Sequence, residues 1–294
     1  MTKFNPQRNS TVVAELKLLN PWVENTDYGD DVVQLARALL GDIGPISEKA
    51  HFEQRLATMG RFAAGRQTWN AWAQDMMDVR SLAVADPALS AVCDALAIAN
   101  FSGACFTETV DFAALLFPGR ADFSGSEFEA DCWMQGSTFY GPAAFRQVSF
   151  MGDTNFERST FYGTADFSNS MFSRQGQFRK FQVLGQAIFE HTDFARCAWF
   201  ADAKMHEASF GKARFADAAA FTDCEFSGKA SFERAWFQKS CGFEGAVFGQ
   251  DVNFRDVDVA GAAWFSGAKF AQAAMFEGMT VAGGGDFADM FEPA

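Results

Sequence analysis

Residue types that usually carry chemistry are scarce in this sequence. Only 3 of the 294 residues are His, and the spacing of His191 and His206 places them on no common repeat position. The sequence contains no CxxC pair, no GxSxG or HExxH motif, and no glycine-rich loop between a strand and a helix. These absences argue against a zinc site, a serine hydrolase and a nucleotide-binding loop. We therefore predict no catalytic residues, no metal and no cofactor, and a protein that is not an enzyme.

Basic residues are also few, with 24 Lys and Arg against 37 Asp and Glu, which gives a net charge of −13. Residues 101–294 carry 15 of the basic and 25 of the acidic residues, so most of the excess lies there. Proteins that bind nucleic acid need stripes of Lys and Arg. Direct nucleic-acid binding is therefore not expected, while the acidity is compatible with a role in solubility alone.

Long apolar runs are missing as well. No stretch of 18 apolar residues occurs, and the first ten residues contain no apolar signal core. The six cysteines form no short-spaced pairs, and the chain is too long to be a disulfide-stapled miniature domain. These features predict a cytoplasmic protein with reduced thiols and no membrane span.

Residues 1–99 have the patterns of helices. Helical segments are expected at 14–19, 30–41 and 46–82, and Asp86-Pro87 is a good start for a helix to about residue 99. That last helix is placed to cap the structure that follows. Within 46–82 an apolar stripe recurs at helical spacing, which is typical of a core but also compatible with a partner site. Its members are Phe62, Trp69, Trp72, Met76 and Met77.

From Phe101 onward the spacing of large apolar residues changes. Phe then returns after alternating steps of five and six residues for about 190 residues. The alternation slips once, between Met205 and Phe210, as though one residue had been deleted from a six-residue step. At other positions the Phe is replaced by Met or Val, namely at Met134, Val183, Val259 and Val281. Phe accounts for 35 residues, which indicates that one structural position is filled repeatedly.

A small residue stands two positions before most of these Phe residues, so the unit is F-x-x-A-x-F-x-G-x-A-x. A large and a small side chain separated by one residue point to the same side of a short strand. Gly follows in alternate steps and would supply a permissive corner. Cys132, Cys224 and Cys241 occupy the small inward position, which predicts buried structural cysteines.

Units such as ADFSG (121–125) and AKFAQ (268–272) resemble those of the pentapeptide-repeat proteins. The chain resembles a Phe-rich bacterial subgroup with the longer alternate step. The resemblance implies a mainly β fold, a right-handed quadrilateral β-helix of about nine coils over residues 100–294, preceded by a helical region at 1–99. Four units make one coil, so Phe should stack on Phe 22 residues away. The expected ladder includes Phe123, Phe145, Phe167 and Phe189.

Outward positions of such a coil are the natural place for recognition. Trp133, Trp199 and Trp264 lie three coils apart in one outward column, and Trp236 is outward in another. An outward Trp is costly unless it is covered, so these four residues are candidates for a partner surface. The alternative is that neighbouring long side chains cover them.

The resemblance favours a non-catalytic protein–protein interaction module or scaffold whose partner and oligomeric state the sequence does not specify. Some family members mimic a DNA duplex and bind DNA gyrase, so an acidic DNA mimic that binds gyrase or topoisomerase is the alternative. Its acidic residues are scattered, and Arg214 and Trp236 interrupt one outward column. The sequence also lacks the inserted loop and C-terminal helix of gyrase-binding relatives. An unknown enzymatic activity of the helical region is a third, weaker hypothesis.

Overall fold

The computed structural model describes residues 48–83 and 87–287. They form two compact units. One contains the described residues up to Phe101 together with Leu116–Asp122, and the other contains Ser102–Leu115 and the residues from Phe123 onward. The helices predicted at 14–19 and 30–41 lie outside the described residues, as does the terminal segment 288–294.

The first unit begins with three helices: α1 (Glu48–Ala63), α2 (Arg66–Ala83) and α3 (Pro87–Leu96). The unit also contains the short strands Ala99–Asn100, Leu116–Phe117 and Ala121–Asp122. The prediction of one helix over 46–82 was wrong, because Gly65 adopts a positive φ of 93° and separates α1 from α2. Helix α3 ends at Leu96, short of residue 99, because Ala99 already belongs to a strand.

The apolar stripe of the helical region forms the core of this unit. Trp69, Trp72 and Met76 are buried. The Trp69 ring packs against Phe101 and Phe117, with centroids 5.7 and 5.4 Å apart, and its indole N–H donates to the carbonyl of Leu116 at 2.7 Å. The interpretation of the stripe as core is confirmed for these three residues, whereas Phe62 and Met77 are half-buried.

The second unit is a parallel β-solenoid of about nine turns. One nine-stranded sheet, the first face, consists of Cys105–Phe106, Glu127–Phe128, Ser149–Phe150, Met171–Phe172, Asp193–Phe194, Arg214–Phe215, Trp236–Phe237, Asp258–Val259 and Thr280–Val281. A second nine-stranded sheet, the second face, consists of Val110–Asp111, Cys132–Trp133, Thr154–Asn155, Gly176–Gln177, Ala198–Trp199, Ala219–Ala220, Cys241–Gly242, Ala263–Trp264 and Gly285–Asp286.

The remaining strands of the second unit belong to a third sheet with two columns. They are Thr138–Phe139, Ala143–Ala144, Thr160–Phe161, Ala165–Asp166, Gln182–Ile188, Lys204–Ser209, Glu225–Phe226, Ala230–Ser231, Val247–Phe248, Val252–Asn253, Lys269–Phe270 and Ala274–Met275. Most of these strands are two residues long and alternate between the columns. Gln182–Ile188 and Lys204–Ser209 are longer, and each runs across the corner that elsewhere separates the two columns.

The interior is a set of stacked aromatic ladders. Phe167 lies between Phe145 and Phe189, with ring centroids 4.7 and 4.8 Å apart and ring planes within 5° of parallel. Phe123 stacks on Phe145 at 4.7 Å, so the predicted ladder is confirmed. Each buried Phe contributes about 2–3 kcal/mol of transfer free energy.

The corner glycines have a different role from the one expected. Gly152 and Gly185 do not have positive φ, but a Cβ at either would lie 2.3 or 2.7 Å from the backbone of the preceding coil. Close approach of backbones therefore demands Gly at these six-residue corners. Left-handed backbone occurs instead in the five-residue steps, largely at other residue types such as Asn169 and Lys180.

The repeat slip coincides with the two long strands. Gln182 and Val183 pair with residues 22 positions later, whereas Gln186, Ala187 and Ile188 pair with residues only 21 positions later. The single residue is lost where His206 faces Leu184 and Gly185. The predicted deletion is confirmed, and a local bulge absorbs it so that regular 22-residue pairing resumes between Ala208 and Ala230.

The Phe ladder predicts that Phe167→Asp unfolds the solenoid. The change places a carboxylate between two stacked rings, where neither water nor a cation compensates its charge. We expect loss of the cooperative melting transition and of the native far-ultraviolet circular dichroism spectrum. Met171→Asp, at an exposed position of the same coil, is the matched control and should melt like the wild type. A normal melt of Phe167→Asp would contradict the ladder.

The corner glycines give a second prediction. Gly152→Ala should destabilise the second unit by about 1–3 kcal/mol or more, because its methyl group meets the carbonyl carbon of Ala130. Gly60→Ala in helix α1 meets nothing within 4 Å and should stabilise that helix by about 0.5–1 kcal/mol. Chemical denaturation of both variants compares them, and equal behaviour would show that backbone approach does not explain the corner glycines.

Candidate interaction surface

Trp236 is covered by a neighbour from the adjacent coil. Arg214 pairs directly with Trp236 in the first face, and its guanidinium lies 4.6 Å from the centroid of the Trp236 ring. This cation–π contact keeps the indole only partly exposed. The alternative interpretation, in which a long neighbouring side chain covers the Trp, therefore describes Trp236.

The other three tryptophans share the second face but do not form one cluster. Trp133 and Trp199 are half-buried, and only Trp264 is substantially exposed, at 41%. Trp264 is open because its partners in the adjacent strands are Gly242 and Asp286. The structure thus confirms the common column but separates the rings by intervening coils. Their role in partner binding stays a prediction.

A more continuous exposed surface follows one corner of the third sheet. Tyr140, Tyr162 and Leu184 occupy the same corner position in three successive coils, and we call them the Tyr140–Leu184 stripe. The two Tyr rings stack in parallel, with centroids 5.2 Å apart and planes within 4°. Their exposed fractions are 39% and 51%, and that of Leu184 is 51%. The sequence analysis missed this stripe, although a 22-residue recurrence of large residues just before a corner Gly was visible.

The chain positions that border the stripe are uncharged, whereas charged residues lie just beyond them, at Asp166 and Lys204. Two positions before each member stand Thr138, Thr160 and Gln182, and two positions after stand Pro142, Thr164 and Gln186. Thr138, Thr160 and Gln182 pair with one another in register, so they border the stripe as one column. In a chain in which 21% of residues are charged, nine neutral positions over three coils form a distinct surface.

The stripe ends at the irregular corner. Leu184 lines a pocket of about 430 Å³ whose other lining residues are Gln182, Val183, Lys204, Met205, His206, Glu225 and Ser227. His206 Nδ1 lies 3.1 Å from Ser227 Oγ, and Lys204 pairs with Glu225 at 2.8 Å. The pocket therefore has an apolar end that continues the stripe and a polar end formed by the shortened coil.

A second pocket of about 450 Å³ lies beyond the same corner and is more strongly charged. Its lining includes Glu190, Glu207, Lys229 and Asp251. Ser209 donates a hydrogen bond to Glu190 at 2.8 Å. The loss of one residue is thus accompanied by recesses on both sides of the corner.

Comparison with known families agrees with this architecture. A family model described as pentapeptide repeats (9 copies) matches residues 135–180, 210–258 and 243–290. The chain belongs to the pentapeptide-repeat family. A search of curated proteins and a search of solved structures each returned no significant match. The interval between the first two matched segments, residues 181–209, contains the irregular corner of this pentapeptide-repeat protein.

The same interval contains a change in core packing that the sequence analysis missed, in which a large and a smaller inward residue exchange places. Phe181 is fully buried and contacts Phe161 and Phe178, with centroids 5.2 and 5.4 Å away. It precedes Val183, which stands where the repeat normally has Phe. A large residue has moved from the Phe position to the preceding inward position, so the filled volume is retained.

The cysteines of the pentapeptide-repeat solenoid are mostly structural. Cys132, Cys224 and Cys241 are buried, as predicted. Burial raises the pKa of all three thiols, that of Cys241 to about 12. Cys224 donates to the carbonyl of Phe200 at 2.9 Å. Cys105 is exposed, and desolvation together with the Glu129 carboxylate raises its pKa.

No metal-binding cluster of three or more His, Cys, Asp or Glu residues occurs within 48–83 and 87–287. Over the same ranges, no helix has both the length and the apolar character needed to cross a membrane. Among the exposed large apolar side chains of the described residues, Tyr140, Tyr162 and Leu184 recur at one position of successive coils.

Thiol alkylation tests the burial of the cysteines in the solenoid. With iodoacetamide at about pH 8, a little below the ordinary thiol pKa, we expect Cys105 to be labelled first and Cys132, Cys224 and Cys241 only after unfolding. The rate at Cys105 should keep rising as the pH increases, because its raised pKa limits the thiolate fraction. Peptide mass spectrometry assigns the labelled sites, and Cys105→Ser should abolish the fast phase. Rapid labelling of native Cys132 would contradict the structure.

Proposed function

We propose that this chain is a non-catalytic protein-interaction module and that its main contact surface is the Tyr140–Leu184 stripe with the adjoining pocket. The observation that carries the proposal is the continuous, exposed and uncharged character of the stripe over three coils. Pentapeptide-repeat solenoids have a closed interior, which leaves outward side chains for recognition.

Exposed Tyr side chains are well suited to this role. Tyr is enriched at energetically important positions of protein interfaces, because its ring contributes a large apolar area and its hydroxyl a hydrogen bond. The stacking of Tyr140 on Tyr162 holds both rings in one orientation. Since the coil-to-coil hydrogen bonds also hold the backbone, a partner would lose little affinity to ordering of this surface.

The charge distribution gives less support to a DNA mimic. Several carboxylates in the solenoid are paired with cations of the adjacent coil, as in Lys204–Glu225, Arg234–Asp256 and Arg255–Glu277. Asp166, next to the stripe, pairs with Arg146. Burial raises the pKa of Asp166, but hydrogen bonds from Ser168 and the Arg146 partner outweigh it, so the pKa lies below its usual range. These pairs break up the continuous negative field that a phosphate backbone would present.

Affinity capture from a cell lysate with matched variants tests the proposed surface. We expect Tyr140→Ser/Tyr162→Ser to lose a specific partner that the wild type retains. Met151→Ser, which removes a similarly exposed apolar side chain from a different corner, should retain it. Binding should persist at about 0.5 M salt, because screening over a few ångströms weakens charge–charge contacts and leaves apolar ones intact. Melting curves of all variants check that each remains folded.

The other outcomes discriminate between surfaces. A partner lost on Trp199→Ser/Trp264→Ser but kept by the Tyr double variant would assign recognition to the Trp column instead. A partner released by salt and unaffected by either double variant would favour the electrostatic, DNA-mimic alternative. A supercoiling assay with DNA gyrase would then be the direct test of that alternative.

A further inference from the structure

We propose that the Tyr140–Leu184 stripe binds a proline-rich peptide segment in the polyproline II conformation, lying along the stack of coils. This inference rests on the proposed function and specifies the chemistry of the partner. It is carried by four features of the stripe: the satisfied backbone beneath it, its spacing, its narrowness, and its uncharged, donor-rich bordering positions.

The backbone at this corner leaves no edge for a partner strand. Tyr162 donates its N–H to the carbonyl of Phe139 at 2.9 Å, and Gln182 donates to that of Ser159 at 2.9 Å. Lys204 donates likewise to Phe181 at 2.8 Å. A partner therefore cannot be recognised here by strand addition and must bind through side chains. Polyproline II suits this requirement, because its backbone is solvated and needs no partner strand.

The spacing of the stripe also fits that conformation. Adjacent rings of the stripe are 5.2 Å apart, and parallel coils repeat at about 4.8 Å, so two coils span about 9.6 Å. A polyproline II helix advances about 9.3 Å in the three residues of one turn. Residues i and i+3 of the ligand would therefore fall at the levels of Tyr140 and Leu184, on either side of Tyr162. A fully extended strand repeats its side chains about every 6.8 Å and loses this register.

The narrowness of the stripe favours a ligand that is ordered before it binds. The apolar surface is one side chain wide and three coils long, so the contact area is small. A flexible peptide would lose much of the gain to conformational entropy, whereas polyproline II is already extended and stiff. Aromatic rings packing against proline rings are the usual basis of such recognition.

The polar groups around the stripe match the hydrogen-bonding pattern of proline. A run of proline residues offers carbonyl acceptors but no N–H donors. The stripe presents the hydroxyl groups of Tyr140 and Tyr162, and the exposed amides of Gln182 and Gln186 border it. All four side chains can donate. Because the bordering positions are uncharged, a neutral ligand over Tyr140 and Tyr162 buries no unpaired charge, and Lys204 at the Leu184 end already pairs with Glu225.

Titration of fluorescein-labelled decaproline against the full chain, followed by fluorescence anisotropy, tests this inference directly. A Gly-Ser peptide of the same length is the control ligand. We expect saturable binding of decaproline alone. Tyr140→Ser/Tyr162→Ser should weaken it at least about tenfold, and Met151→Ser should leave it within about twofold. Tyr140→Phe/Tyr162→Phe keeps the rings, so it should weaken binding less than the Ser variants do.

Three results would overturn the inference: no binding at about 1 mM decaproline, equal binding of the Gly-Ser peptide, or unchanged binding by the Tyr→Ser double variant. Stripe-dependent capture of a partner, together with no decaproline binding, would leave the interaction function in place and remove the polyproline ligand. Displacement of that partner by decaproline would support both. Preferential binding of an amphipathic helical peptide or an oligosaccharide over decaproline would reject the polyproline assignment.

Discussion

Every part of the solenoid depends on contact between each inward side chain and its counterpart in the next coil. Parallel strands are spaced about 4.8 Å apart, which lies within the range of centroid distances that stacked aromatic rings prefer. Rings such as Phe145 and Phe167, 4.7 Å apart, therefore satisfy the backbone pairing and the side-chain packing together. This is why one residue type recurs in each column, and why a departure such as Val183 is accompanied by Phe181 in the neighbouring inward position.

The same close spacing governs the corners. At six-residue corners such as Gly152 and Gly261, a Cβ would lie within 2.5 Å of the backbone of the preceding coil, whereas other such corners carry side chains, as at Arg174 and Lys239. At the irregular corner one residue is absent, the strands run through, and pockets lie on both sides. The departure from regularity therefore coincides with these two recesses. The Tyr140–Leu184 stripe leads into the first of them, which joins the structural irregularity to the proposed binding surface.

The outward surface is organised by the same register. Residues in one column face their counterparts one coil away, so ion pairs such as Arg255–Glu277 and stacked pairs such as Tyr140–Tyr162 arise from the repeat itself. A neutral aromatic stripe on a solenoid with charged residues in its other outward columns is therefore a local property of three coils. A rigid scaffold with such a stripe is suited to binding one segment of a partner without rearranging.

The sequence by itself determined the repeat, the inward ladder, the number of coils and the position of the slip, because period and residue size translate directly into a coil that buries its Phe residues. It predicted a helical region but merged two helices, since the break at Gly65 depends on one backbone angle. Only the tertiary structure decided which outward side chains are exposed. Trp236 is covered because Arg214 lies one coil away, while Tyr140 and Tyr162, 22 positions apart, stack on each other, and Leu184 occupies the same corner in the next coil. Exposure is a property of neighbours in space, and a linear sequence does not show how each neighbour's side chain lies.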